Sequence, residues 1–177
     1  MKKRIELEKL ASELHTDITR ASMSLQVRSD VLEPLFKDFG TEFKGFYNHL
    51  FTATSMLSFM TLSRIFDKPK GRFSVTLEEL VKQVMEAKPN HPKVKEKAGA
   101  LINEIQDVRD HLAPLRNNIF AHRNYYTQKL PDVRCSDLTD ALGKAKEILN
   151  WYGSCFGQSF IYLPEVLPAC PTTVDLI

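Results

Sequence analysis

The stretch "LEKLASELHTDITRASMSL", Leu7 to Leu25, sets Leu7, Ala11, Leu14, Ile18, Ala21 and Leu25 at alternating steps of four and three. That spacing gathers all of these side chains on one stripe of a 3.6-residue helix, whereas a strand would need a repeat of two. A long apolar stripe on an otherwise polar helix requires another helix against it. The stretch therefore predicts an all-α protein.

The same period returns along the chain. Pro34 and Gly40 punctuate the following segment, after which Phe43, Phe46, Leu50, Ala53, Leu57 and Met60 continue the 4,3 spacing up to Arg64. "FDKPKGRFS" reads as a loop. Thr76 is placed as an N-cap, with Glu79 closing a capping box and Val75 stapled against Leu80, so a short helix should run to about Ala87. Pro89 and Pro92 break the chain before a long helix carrying Ala98, Leu101, Ile105, Val108, Leu112, Leu115 and Ile119. After a polar loop with Pro131, a last helix carries Leu138, Leu142, Ala145, Leu149, Tyr152 and Phe156, and later Leu163. No run of alternating apolar residues is long enough to suggest a sheet. The expected fold is a single-domain helical bundle of about five helices over residues 1–163, with 164–177 as a loose tail.

Composition sets outer bounds. A chain of 177 residues suits one domain, and 43% apolar with 26% charged residues is ordinary for a folded protein. A net charge of +2 excludes a globally basic nucleic-acid binder, so any basic site is local. Cys135, Cys155 and Cys170 lack metal-type spacing and form an odd set, which suits reduced thiols. The charged start "MKKRIELEKL" has no apolar core of a secretion signal, so a cytoplasmic location is expected. Residues 45–63 carry no charged side chain, but Asn48, His49 and six Ser or Thr interrupt them. A buried central helix is expected there rather than a membrane span.

Chemistry concentrates in "RNNIFAHRNYY", Arg116 to Tyr126. The seam count of the long helix reaches His122, which is either an inert, hydrogen-bonded seam histidine or a site residue. Arg109, Arg116 and Arg123 are seven apart and form a basic column beside Val108, Leu115 and His122. This column is either a solvated face or a phosphate-handling line; Asn117, Asn118 and Asn124, poor helix-interior residues, point to the latter. Arg116 and His122 are six apart, about 120° and about 9 Å on an ideal helix. They converge only if Pro114 kinks or restarts the helix, or if a second subunit contributes.

An arginine followed by a polar residue, then Ala-His-Arg near the end of a long helix in an all-α chain, resembles the HEPN superfamily. Its motif of Arg, four to six residues and His is matched by "RNNIFAH". "LSRIFDKPKGRFSVTLEELVKQV" and "LRNNIFAHRN" are similar to the abortive-infection, AbiU-type branch, and the resemblance covers roughly residues 5 to 160. It implies a bundle that dimerises so that two motifs share a cleft and cut RNA without metal or cofactor. His122 would be the general acid or base on the ribose 2′-hydroxyl, and Arg116 would stabilise the phosphorane charge. Asn117 would orient the phosphate or the histidine. Arg109, Arg123, Asn124, Tyr125 and Tyr126 would make up the substrate-binding set, Arg123 on the RNA backbone and the tyrosines stacking bases or packing on the bundle. HEPN toxins paired with a nucleotidyltransferase antitoxin can carry a tyrosine two residues after the histidine, where this chain has Asn124. That departure weakens the case for such an antitoxin, and any antitoxin or activator is unnamed. The alternatives are a catalytically silent module that binds RNA or a nucleotide, and a purely structural protein. Asp107 and His111 sit at i and i+4, more suited to a structural pair than to a metal site, and Cys135 reads as an ordinary thiol.

Overall fold

The computed structural model describes residues 2–39, 43–70, 74–121 and 135–162. All regular structure among the described residues is helical, with α1 at Lys2–Gln26, a π-helical turn at Val27–Leu32, α2 at Glu33–Phe39, α3 at Lys44–Ile65, α4 at Leu77–Ala87, α5 at Pro92–Ala121 and α6 at Cys135–Phe156. No strand occurs among the described residues. The tail at 164–177 lies outside them.

The stripe on α1 is the centre of the bundle. Leu7, Ala11, Leu14, Ile18, Ala21 and Leu25 are all buried, and α1 packs against α3, α4 and α6. Pro34 was expected to interrupt the chain, yet helical backbone runs from Lys2 to Phe39 without a break. A proline in α-helix lacks the N–H for residue i−4 and crowds its carbonyl, here that of Asp30. The wider π turn just before Pro34 re-registers the hydrogen bonds at that point, so the rod continues through a local distortion.

Helix α3 departs from the expected orientation. The 4,3 stripe chosen from its sequence faces solvent, with Phe43, Phe46, Leu57 and Met60 exposed at 55%, 62%, 53% and 50%. The buried side carries Tyr47, Ser58, Phe59, Leu62, Ser63, Ile65 and Phe66. Small hydroxylated residues make that contact. Ser58 Oγ donates to the Ala21 carbonyl at 3.2 Å, and Ser24 Oγ donates to the Thr54 carbonyl at 2.9 Å. Serines let two backbones approach and bind each other's carbonyls, so the packing side of α3 includes polar residues among its apolar ones. The central helix is α1, and α3 is buried on one side alone. No described helix is long and apolar enough to cross a membrane.

The helix ends follow local chemistry. The Thr76 side chain accepts from Glu79 N at 3.3 Å as an N-cap should. The reciprocal half of the expected box is not made, because the Glu79 carboxylate accepts from Gln83 Nε2 at 2.9 Å instead. Val75 and Leu80 join the same core. Pro92 opens α5, where its missing N–H costs nothing. α6 stops at Phe156 because Gly157 adopts φ 69° and Gln158 N donates back to the Gly153 carbonyl at 2.9 Å, a Schellman closure. The turn returns Phe160 and Tyr162 onto α1, where His15 Nε2 lies 2.9 Å from the Ile161 carbonyl.

These two kinds of glycine position give opposite expectations. Gly157→Ala places a Cβ at a left-handed φ and should destabilise the protein by about 1–2 kcal/mol. Gly99→Ala, on exposed α5 with nothing near its added Cβ, should stabilise by about 0.5–1 kcal/mol. Urea unfolding of both variants checks the pair, and a Gly157→Ala protein as stable as wild type would rule out the left-handed closure.

Candidate functional site

Helix α5 carries the candidate site, so its anchoring comes first. Val94, Ala98, Leu101, Ile105 and Leu112 are buried along one side, and Val108 packs on the same core. A row seven residues apart pairs across to α6. Lys97 Nζ meets Glu147 Oε1 at 3.1 Å, Glu104 Oε2 accepts from Lys144 Nζ at 2.8 Å, and His111 Nε2 lies 3.5 Å from Asp137 Oδ2. The partners descend on α6 as they ascend on α5, so the two helices are antiparallel. Each such surface pair contributes little alone. Together they fix the orientation of α5, and they bring its C-terminal end to the N-terminal end of α6. His111 finds its carboxylate on α6, not at Asp107.

Arg109, the first member of the arginine column, is turned inward. Its Nε donates to the Phe66 carbonyl at 2.8 Å, and its guanidinium donates to the Glu78 carboxylate. Both side chains are largely buried, at 11% and 14% exposure. Phe66 caps the end of α3 and Glu78 stands in the first turn of α4, so one guanidinium joins three helices. Glu78 also accepts from Lys82 Nζ at 2.6 Å. Burial by itself would raise the Glu78 carboxyl, but the hydrogen bonds from Lys82 and Arg109 overcome it and hold the group below the usual range. Arg109, placed by the sequence in the substrate-binding set, is engaged here with Phe66 and Glu78. Its charge is already neutralised inside the protein.

A second pair lies between α1 and α3. Arg64 donates to Asp17, whose carboxylate is buried beside the α1 stripe, and Arg20 flanks it at 4.0 Å. Burial pushes the Asp17 carboxyl up against the pull of both arginines. Asp67 works in the turn that follows, accepting from Lys68 N at 2.9 Å. Asp17, Glu78 and Asp137 are the partners that sequence reasoning missed. A usable signal existed for Asp17 alone, since a carboxylate between Leu14 and Ile18 on a seam needs a cation.

The motif itself begins on this anchored rod. Pro114 was expected to kink or restart the helix; helical backbone runs through Pro114, Arg116 and Asn117 to Ala121, so there is no restart. Arg116 and Asn117 therefore sit in the last turns of α5, with side chains outside the described set. His122, Arg123, Asn124, Tyr125 and Tyr126 lie outside the described residues. Among the described residues no group of three or more His, Cys, Asp or Glu side chains is placed to hold a metal ion. Cys155 is a free thiol that burial pushes upward.

The family model described as AbiU2, of the HEPN group, matches residues 4–164 of the chain. The matched span runs from the first turn of α1 past the end of α6 and contains the whole Arg116–Tyr126 stretch. Comparison with curated proteins and with solved structures gives no match.

The Arg109 junction makes a direct prediction. Glu78→Gln leaves a buried guanidinium without its counter-ion and should cost about 2–3 kcal/mol. Because the folded carboxyl is held low, its contribution is complete above about pH 4.3 and lost as pH falls through the folded value. Urea unfolding from neutral to acid pH should therefore show wild type losing its margin over the variant. A margin that stays constant into acid would count against the pair.

Proposed function

Because the chain belongs to the AbiU2 family of HEPN proteins, we propose that it is a metal-independent endoribonuclease of a phage-defence or toxin type, acting through Arg116, Asn117 and His122. The observation that carries this reading is the family match across nearly the whole chain, with the Arg-Asn-x4-His motif intact inside it. The anchoring of α5 supports it. A helix buried along one side and pinned by Arg109 gives Arg116 and Asn117 a rigid backbone, which precise phosphate chemistry requires. The described part of α5 reaches Ala121, and the next residue in the chain is His122.

The chemistry is transesterification. His122 takes the proton from the ribose 2′-hydroxyl, the 2′-oxygen bonds to phosphorus, and the 5′-oxygen leaves with a proton. The products end in 2′,3′-cyclic phosphate and 5′-hydroxyl. Arg116 stabilises the phosphorane oxygens through a bidentate guanidinium, and Asn117 orients phosphate or histidine. Arg123 holds the RNA backbone, and Asn124, Tyr125 and Tyr126 extend the contact surface. One histidine cannot be base at the 2′-oxygen and acid at the 5′-oxygen at once. A homodimer supplies the second. On this reading the site needs no cofactor and the reaction takes place in the cytoplasm.

A second reading is a silent module that binds RNA or a nucleotide at the same place. Arg109 favours neither reading over the other, because its pairing with Glu78 withdraws one cation of the expected column from phosphate contact in both.

Purified protein incubated with mixed RNA in EDTA tests both readings. Wild type should release fragments with 2′,3′-cyclic phosphate ends, and His122→Ala and Arg116→Ala should each slow release by about 10²–10⁴-fold. Cleavage at wild-type rate in both variants would sink the assignment. RNA retention on a filter without fragments would select the binding module.

A further inference from the structure

Two exposed arginines converge on one buried carboxylate where α1 and α3 meet. Arg64, in the last turn of α3, donates to Asp17 Oδ2, and Arg20, one turn beyond Asp17 on α1, stands 4.0 Å from Oδ1. The Asp17 side chain is 8% exposed, whereas those of Arg20 and Arg64 are 68% and 59% exposed. The anchor is therefore inside the bundle and both guanidiniums are outside it. We propose that Arg20 and Arg64 form a phosphate-binding clamp, which holds the RNA backbone at a place separate from the Arg116–His122 motif.

Three observations carry the assignment. The first is charge. Two guanidiniums against one carboxylate leave one unit of positive charge at the surface. Glu13, one turn before Asp17, does not cancel it, because Lys9 lies 3.8 Å from Glu13. Among the described residues neither arginine meets another carboxylate. The second is the supply of donors. A guanidinium carries five N–H groups, and the bond to Asp17 takes one from Arg64. At 4.0 Å Arg20 is ion-paired without a hydrogen bond, so its donors are all available. Such planar forks match phosphate oxygens two at a time. The third is order. An exposed arginine loses rotamer freedom when it takes a ligand, and that loss weakens binding. Asp17, fixed between Leu14 and Ile18 on the buried stripe, already restrains Arg64 and draws Arg20 toward it.

The contrast with Arg109 is one of exposure. Arg109 and Glu78 are both buried, so that pair closes on itself, whereas at Asp17 the acid alone is buried. The place in the fold also suits the role. Arg64 lies two residues before Phe66, whose carbonyl accepts from Arg109 of α5. The clamp and the helix that bears the motif therefore meet the same end of α3, and an RNA strand seated at the motif would extend past that end to reach the clamp. This inference rests on the reading that the chain binds RNA, whether it cuts it or holds it.

Binding of a labelled oligouridine across a series of salt concentrations tests it, with every variant made in His122→Ala protein so that no strand is cut. Arg20→Gln should lower the slope of log affinity against log salt by about 0.7, the loss of one phosphate contact on a single strand. Lys9→Gln removes an exposed cation of the same helix outside the clamp and should leave the slope as it was. Arg64→Gln should match Arg20→Gln, and because Arg64 also anchors α3, circular dichroism checks its fold while the exposed Arg20 decides the question. An unchanged slope in Arg20→Gln, or an equal loss in Lys9→Gln, would overturn the clamp and leave RNA binding at the motif standing. No binding of oligouridine by the His122→Ala parent would overturn the clamp together with the RNA reading. ATP binding that Arg20→Gln weakens, with the RNA slope unchanged, would overturn the RNA assignment and give the clamp to a free nucleotide's phosphates.

Discussion

Everything in this fold depends on burying the α1 stripe. Removing Leu7, Leu14, Ile18 and Leu25 from water is worth roughly 1.5–3 kcal/mol for each large side chain, which no surface ion pair in the bundle approaches. To cover a stripe that long, α3, α4 and α6 must each lie against α1. α5 then closes on α4 and α6. The polar contacts trim this arrangement. Arg109 sets where α5 crosses the ends of α3 and α4, and Asp17 with Arg64 sets α3 against α1.

The legible part of the sequence was the part governed by large apolar side chains. The α1 stripe, the core side of α5 and the extent of α4 follow directly from spacing, because leucine and isoleucine at 4,3 steps have one place to go. α3 was misread for a physical reason. It has an apolar stripe and, about a third of a turn away, a row of serines and aromatics, with no charge to mark which side meets water. Periodicity ranks faces by hydrophobicity, but a helix interface can also be chosen by close backbone approach and by hydroxyl bonds to carbonyls. Ser24 and Ser58 made that choice. Pro34 was misread because a π turn can absorb a proline, and no residue pattern announces such a turn.

The candidate site stood out in a different way. Arg116, Asn117 and His122 stood out as residue types in a pattern, and the family match covers them. Their surroundings did not stand out. Glu78 lies 31 residues from Arg109 in the chain, and nothing local to either predicts that they meet. Seven-residue spacing put Arg109 in line with Arg116 and Arg123, yet depth along the bundle separates them. Arg109 stands beside the ends of α3 and α4, while Arg116 lies about 10 Å further along the axis. One column can therefore serve as anchor at its inner end and as ligand at its outer end.

The unbroken course of α5 also narrows how the motif can work. With no restart at Pro114, the backbone positions of Arg116 and Asn117 belong to the same rod that Arg109 fixes. A phosphate held by Arg116 would then sit beside that rod, and His122 is the next residue in the chain after the described part of α5. On the proposed catalytic reading, the six-residue spacing of Arg116 and His122, about 120° and about 9 Å on an ideal helix, argues for a composite site, in which the arginine of one copy and the histidine of the other address the same scissile bond.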